Sequence, residues 1–227
     1  MTRRLHIWRP EPGWSASAAA ARKLGLEPAG EPLFAIEPVR WSPPPPDTFD
    51  GLLIGSANVF RHGGDQLAAL RSLPVHVVGE TTAAAAKEAG FTVAGVGQGG
   101  LQNVVDRLGG AGRFLRLRGE AAVDLNLPEG CEVEDIVVYA ARPRTPSDET
   151  LTDLKTGGVA VLHSGEAAAR FAGLVDDAGA SRSSWKLALI GPRLLPVLGE
   201  GWADVRIAST PHDAALLELA AGLCKEG

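Results

Sequence analysis

Residues 75–108, VHVVGETTAAAAKEAGFTVAGVGQGGLQNVVDRL, constrain the fold more than any other stretch of the chain. A short apolar strand over Val75–Val78 stops at Gly79, and after Glu80 and two threonines an alanine-rich helix runs to Gly90, which stands where a C-capping glycine belongs. Residues 91–96 read as a second strand, a glycine-rich turn follows, and a second helix ends at Leu108. Strands alternating with helices predict a parallel sheet. The turn at residues 79–82 is chemically suggestive: glycine lets the backbone bend sharply, Thr81 or Thr82 can cap the helix, and free N–H groups at a helix start attract anions.

The unit recurs. Residues 186–223, KLALIGPRLLPVLGEGWADVRIASTPHDAALLELAAGL, show the same strand, Gly191 at the same turn, a helix closing near Gly201, a strand over 204–208 and a final helix. The stretch before each copy also repeats: residues 50–60 (DGLLIGSANVF) match residues 158–171 (GVAVLHSGEAAARF), each an apolar strand, a small polar turn with Ser56 or Ser164, and a helix. A repeat of this length taken twice predicts two similar α/β lobes, each a parallel sheet flanked by helices, rather than a solenoid.

At 227 residues with an ordinary apolar fraction, the chain suits one large or two small domains with sizeable cores. A formal net charge of −5 gives no electrostatic reason to expect nucleic acid. Cys131 and Cys224 are far apart and outside any CxxC spacing, and the histidines His6, His62, His76, His163 and His212 form no HxxxH pair. Structural zinc and a disulfide framework are therefore not expected, and a reducing compartment fits. The first residues, MTRRLHIWRPEPGW, hold no apolar run of signal-peptide length, and no stretch approaches a membrane span. The expectation is a soluble, cytoplasmic monomer.

Two proline-rich breaks organise the chain. Residues 43–46 are four consecutive prolines, a stiff extended linker, and residues 142–147 hold two more. Before the first break lie a strand ending near Trp8, a helix over about 15–24 stopped by Gly25, and an alternating strand over 33–39; before the second, residues 132–139 (EVEDIVVY) form a clear strand. The predicted topology inserts one lobe, residues 40–131, into another made of 1–32 and 146–227, with 33–39 and 132–145 as a two-stranded connector, and it places a ligand cleft between the lobes. The segment after Gly119 carries Pro128 and Gly130 and has little room for a helix.

Several short motifs in this order resemble the uroporphyrinogen-III synthase family: Arg9-Pro10, Pro32-Leu33-Phe34, Gly55-Ser56-Ala57-Asn58, Val78-Gly79-Glu80-Thr81-Thr82-Ala83, Ala89-Gly90-Phe91, Leu117-Arg118-Gly119-Glu120, Val138-Tyr139, Ser164, Ile190-Gly191-Pro192 and Ala208-Ser209-Thr210-Pro211. The resemblance spans nearly the whole chain. It implies two α/β lobes joined by a two-stranded connector, no cofactor and no metal. It also implies a lyase (hydro-lyase) that cyclises the linear tetrapyrrole hydroxymethylbilane, with eight carboxylates, to uroporphyrinogen III plus water, ring D being inverted. The chain departs from the family pattern where Gly191-Pro192-Arg193-Leu194-Leu195 lacks a threonine, and where Gly55 and His163 stand before Ser56 and Ser164. These departures keep open a second reading, a non-enzymatic two-lobed protein that binds small anions. A nucleotide or sugar-phosphate enzyme is disfavoured, since neither GQGG at 97–100 nor VVGETTAAAA is a phosphate loop.

The resemblance also assigns roles. Tyr139, the only tyrosine, ends a strand; it is either a half-buried strand residue whose hydroxyl meets water or the general acid toward the departing hydroxyl, a role that suits a phenol protonated at neutral pH. Thr82 is a helix cap that can also touch substrate. Ser56, Asn58, Gly79, Ser164 and Gly191 sit at strand-to-helix turns, where α/β sheets bind ligands. Arg9, Arg118 and Arg193 follow strands or turns and are either solvated or clamps for substrate carboxylates. His163 is either structural or a proton shuttle.

Overall fold

The computed structural model describes residues 4–108 and 110–226. The chain divides into two compact units, Met1–Ala35 with Pro143–Gly227, and Ile36–Arg142. In the first (unit 1) the elements are β1 (Leu5–Ile7), α1 (Gly13–Lys23) and β2 (Pro28–Ala29), before the chain leaves. The second (unit 2) holds β3 (Phe34–Pro38), β4 (Gly51–Ile54), α2 (Asn58–His62), β5 (Val75–Val78), α3 (Glu80–Glu88), β6 (Val93–Gly97), α4 (Leu101–Arg107), β7 (Gly112–Gly119) and β8 (Cys131–Pro143), the outermost residues of β3 and β8 falling at the division. Unit 1 then resumes with α5 (Asp148–Thr156), β9 (Gly158–Leu162), α6 (Gly165–Asp177), β10 (Trp185–Leu189), α7 (Leu195–Leu198), β11 (Asp204–Ile207) and α8 (Asp213–Lys225).

Unit 1 is built on a five-stranded sheet in the order β11-β10-β9-β1-β2, every pair parallel. All five residues of β9 are buried, as expected of a central parallel strand covered on both faces. Helix α6 starts where the Ser164 hydroxyl accepts from the Ala167 N–H at 3.1 Å, and its buried Ala167, Ala168, Phe171, Ala172, Leu174 and Val175 recur at helical spacing to form one apolar stripe. Helix α8 buries Leu216, Leu217, Ala220, Leu223 and Cys224 in the same way, packing with Leu5, Ile7, Val159 and Val161. Each large aliphatic side chain so buried contributes about 1.5–3 kcal/mol. An aromatic group adds to this core: the Phe171 ring meets Trp8 at 5.4 Å and Trp185 at 5.0 Å, and His6 lies 4.9 Å from Trp185. Burial pushes the His6 imidazole down to about 4, against a smaller upward pull from Asp153.

Unit 2 has a six-stranded sheet ordered β3-β8-β7-β4-β5-β6. From β8 to β6 the neighbours are parallel. At the edge, the Val39 N–H donates to the Val138 carbonyl and the Arg144 N–H to the Leu33 carbonyl, so β3 runs antiparallel to β8. One face carries Leu52, Ile54, Val75, Val77, Leu115 and Leu117; on the other, Leu53, Phe114 and Cys131 pack with Val104 and Val105 of α4. Parallel β7 and β8 are joined by residues 120–130, which contain neither helix nor strand, in place of the usual crossover helix.

The repeat is real, and its frame is permuted. The runs β4-β5-β6 and β9-β10-β11 occupy equivalent places in the two sheets. The two parallel strands beside the run precede it in unit 1 (β1, β2) and follow it in unit 2 (β7, β8), where the antiparallel β3 adds a sixth strand at the edge. The helix expected after Gly191 is a correction: residues Pro192–Leu194 form one 3-10 turn and α7 adds only a single α-turn. Pro192 and Pro196 each lack an N–H, and Gly199 at φ 66° ends the run two residues before Gly201. Among the described residues no helix is long and apolar enough to cross a membrane.

Candidate active site

In an open parallel sheet, ligands bind beyond the carboxyl ends of the strands where the strand order reverses direction. In unit 2 that point lies between β4 and β7, because β5 and β6 add to one side of β4 and β7 and β8 to the other. A cavity of about 160 Å³ opens there, lined among others by Ser56, Arg116, Arg118, Gly119, Val123 and Tyr139. Three sequence-predicted residues, Ser56, Arg118 and Tyr139, thus share one cavity. A wider hollow of about 590 Å³ is bordered by Phe60, Arg61, Thr81 and Glu88; its polar side chains are exposed, so it lacks the water-shielded groups that strengthen electrostatics in a site.

Tyr139 owes its position to a bulge. The β7/β8 register pairs Arg118 with Val137 and then Gly119 with Tyr139, skipping a residue, a device that re-aims a side chain. The aromatic ring lies over Gly119, where a Cβ would come within 2.7 Å of it, so position 119 has room only for hydrogen. The Glu120 N–H donates to the Tyr139 carbonyl at 3.0 Å, and the ring sits 6.5 Å from that of His62. Burial and then the neighbouring Arg61 lower the His62 pKa, favouring neutral imidazole near Tyr139.

The two arginines of β7 behave differently. Arg118 Nε donates to Asp135 Oδ2 at 2.6 Å, and its Nη1 donates to the carbonyls of Gly119 and Glu120 at 3.0 Å each. It shapes the turn more than it offers a free clamp. Arg116 is only 7% exposed; its Nη2 donates to the Val123 carbonyl at 2.8 Å, and its Nε has no partner. Sequence reasoning passed over Arg116, although the alternation of FLRLRG puts residues 116 and 118 on one face of the strand.

At the next turn, Gly79 with φ 77° is itself the N-cap of α3, without a side-chain cap. Thr81 and Thr82 therefore lie inside the first turn and do not cap it; Thr82 is buried. The positive φ at Gly79 moves the helix start earlier than two threonines suggest. Asn58 opens α2, its N–H donating to Ser56 Oγ at 3.3 Å and its side-chain oxygen accepting from Arg61 at 3.5 Å.

Unit 1 has its own reversal point, between β1 and β9, and a polar cluster follows those strands. Asp213 accepts from Ser17 Oγ at 2.8 Å and from Arg9 at 3.4 Å, and is bonded to His163 Nε2 at 2.6 Å; Arg9 also donates to Ser17 at 3.0 Å. Burial raises the Asp213 carboxyl, but the bonds from His163 and Ser17 outweigh it and hold the pKa below the usual range. Burial holds the His163 pKa down despite the bond to Asp213. Arg9 is thus turned inward, Ser164 is engaged as the α6 cap, Gly191 is extended at φ −177°, and Arg193 is exposed. Asp213 and Ser17 had no motif to reveal them. Among the described residues no group of three or more His, Cys, Asp or Glu side chains is placed to hold a metal ion.

Comparison with known proteins adds to this geometry. No curated protein matches the chain at a significant level. Its fold is similar to that of the uroporphyrinogen-III synthetase of Helicobacter pylori at 17% identity and a TM-score of 0.69, with 97% of this chain and 99% of that one covered. It is also similar to a mutant uroporphyrinogen III synthase of the extremely thermophilic bacterium Thermus thermophilus at 19% identity and a TM-score of 0.53, covering 99% and 100%. The model of the family described as uroporphyrinogen-III synthase HemD matches residues 15–218. That match takes in every strand except β1 and the reversal-point cavity of unit 2, and by it the chain belongs to the uroporphyrinogen-III synthase family.

Proposed function

We propose that this chain is a uroporphyrinogen-III synthase, a lyase of the hydro-lyase type, acting on hydroxymethylbilane. The family match over residues 15–218 carries this reading. Tyr139 is the general acid: its phenol gives a proton to the terminal hydroxyl, which leaves as water and creates an azafulvenium cation balanced by the tyrosinate. Ring D attacks this carbon through its own substituted position, forming a spiro intermediate. Fragmentation and reclosure invert the ring, and the proton lost on rearomatisation returns to the Tyr139 oxygen. Support comes from the bulge that sets Tyr139 at the unit 2 cavity.

Ser56, Asn58 and the backbone at Gly79 lie after strands β4 and β5 and are assigned to hold the substrate beside Tyr139. Arg118 keeps the Gly119 turn in shape for it. Thr82 is buried and receives no chemical step. Arg9, Ser164, Gly191 and Arg193 lie in unit 1; with Arg9 and Ser164 already bonded internally, they receive no step in this scheme. Catalysis rests on orientation plus one proton donor, since the free substrate also closes without inversion. Freshly made hydroxymethylbilane tests the function. The protein should give mainly the type III product, whereas type I at the rate seen in buffer would overturn it.

A further inference from the structure

Arg116 is a guanidinium in the wrong place for a merely structural residue. It is 7% exposed in the strand β7, yet of its nitrogens only Nη2 makes a hydrogen bond, to the Val123 carbonyl. Nε is buried without a partner. The nearest carboxylate, Asp135, is 3.6 Å from Nη1, beyond a good hydrogen bond, and is already engaged by Arg118 at 2.6 Å. Arg116 and Arg118 thus contact the same carboxylate, Asp124 is the other acidic group acting on Arg116, and the buried Nε is left without a hydrogen-bond acceptor. A buried cation with open donors is costly unless an anion completes it. Arg116 borders both the 160 Å³ cavity that holds Tyr139 and a second cavity of about 300 Å³ lined by Asp124, Leu125 and Asp135. The acidic residues of the second space make it a poor anion site, and the first adds Arg118 and Ser56 instead. Burial lowers the Arg116 pKa and Arg118 adds to the fall, while Asp135 and Asp124 oppose it.

We propose that the Tyr139 cavity is a carboxylate-binding subsite anchored by the fork of Arg116, and that it takes one carboxylate arm of the substrate. The second clause rests on the function proposed above; the first does not. A volume of 160 Å³ equals about five water molecules, enough for one carboxylate arm and too little for a pyrrole macrocycle. Arg116 would then fix one arm while the Tyr139 hydroxyl, in the same cavity, faces the reacting end of the chain.

Sodium propionate is the probe. In 15N-labelled wild-type protein the Arg116 Nε–H signal, identified by its loss in Arg116→Lys, should shift saturably with propionate and not with sodium chloride at equal ionic strength. An unmoved signal, or an equal shift with chloride, overturns the subsite without needing any variant to fold. In turnover, Arg116→Lys keeps the charge but loses the fork, so KM for hydroxymethylbilane should rise about tenfold to a hundredfold with a smaller change in kcat. A fall in kcat at constant KM would contradict a binding role. A saturable propionate shift in a protein that makes no type III product would uphold the subsite and count against the proposed reaction.

Discussion

The two units present the same strand arrangement but dispose their polar groups in opposite ways at the reversal point. In unit 1, Arg9, Ser17 and His163 converge on Asp213, and of their buried polar atoms only His163 Nδ1 is left without a partner. In unit 2, the equivalent place is a cavity bordered by Tyr139 and by Arg116 with donors to spare. A shared topology thus gives each sheet a place where polar side chains collect, but does not decide whether they close on one another or wait for a ligand. The permutation contributes to the difference. Unit 1 completes its sheet with two strands made before the repeat, and α1 between them brings Ser17 to Asp213. Unit 2 extends its sheet with β7 and β8 before the edge strand β3, and the helix-free crossover joining β7 and β8 leaves Arg116 beside a void.

Acid should separate the units most. The unfolded chain binds a proton at His6 near 6.5, whereas the folded chain does so only near 4. Between those values unfolding takes up a proton, so the stability contributed by neutral His6 is complete above about pH 6.5 and is lost as the pH falls to 4. The difference corresponds to about 3 kcal/mol, and His163, also shifted down by burial, acts in the same direction. Trp8 and Trp185, packed around His6, should report a lower denaturant midpoint at pH 4 than at pH 7, with Trp41 of unit 2 changing less. Equal losses in both units would break the distinction.

A smaller effect distinguishes the two repeat glycines. Gly79 has φ 77°, so Gly79→Ala should cost about 2 kcal/mol even though no atom lies within 4 Å of the added methyl. Gly191 is extended at φ −177° with equal space, so Gly191→Ala should stay within about 0.5 kcal/mol. Thermal unfolding of the two variants would show whether the turns are equivalent; similar losses would mean that they are.

Local signals made much of this fold legible. The alternation of apolar strands and alanine-rich helices specifies parallel sheets, and the internal repeat anticipates the equivalence of β4-β5-β6 and β9-β10-β11. Ser56 is legible because it follows β4, whereas Tyr139 and Arg118, read as ending or following strands, lie inside β8 and β7, which run on to Pro143 and Gly119. What escaped depended on distance or on backbone angles. Ser17 and Asp213 are 196 positions apart and meet only through topology. Arg116 is buried because residues 120–130 cover it, which strand alternation does not reveal. Thr82 looked like a cap because the sequence does not display the φ of Gly79. The helix after Gly191 is shorter than expected because the repeat of residues 75–108 does not carry the break that Pro192 and Pro196 impose.

The central claim, that the unit 2 cavity performs the chemistry through Tyr139, is tested most directly by Tyr139→Phe. The ring and its packing over Gly119 remain, and only the hydroxyl is lost, so the unfolding midpoint should hold. Turnover of hydroxymethylbilane should fall about a hundredfold, toward the lower end of what a general acid contributes because water can replace part of it. The product that remains should still be mainly type III. Full turnover in a folded Tyr139→Phe protein would contradict the account.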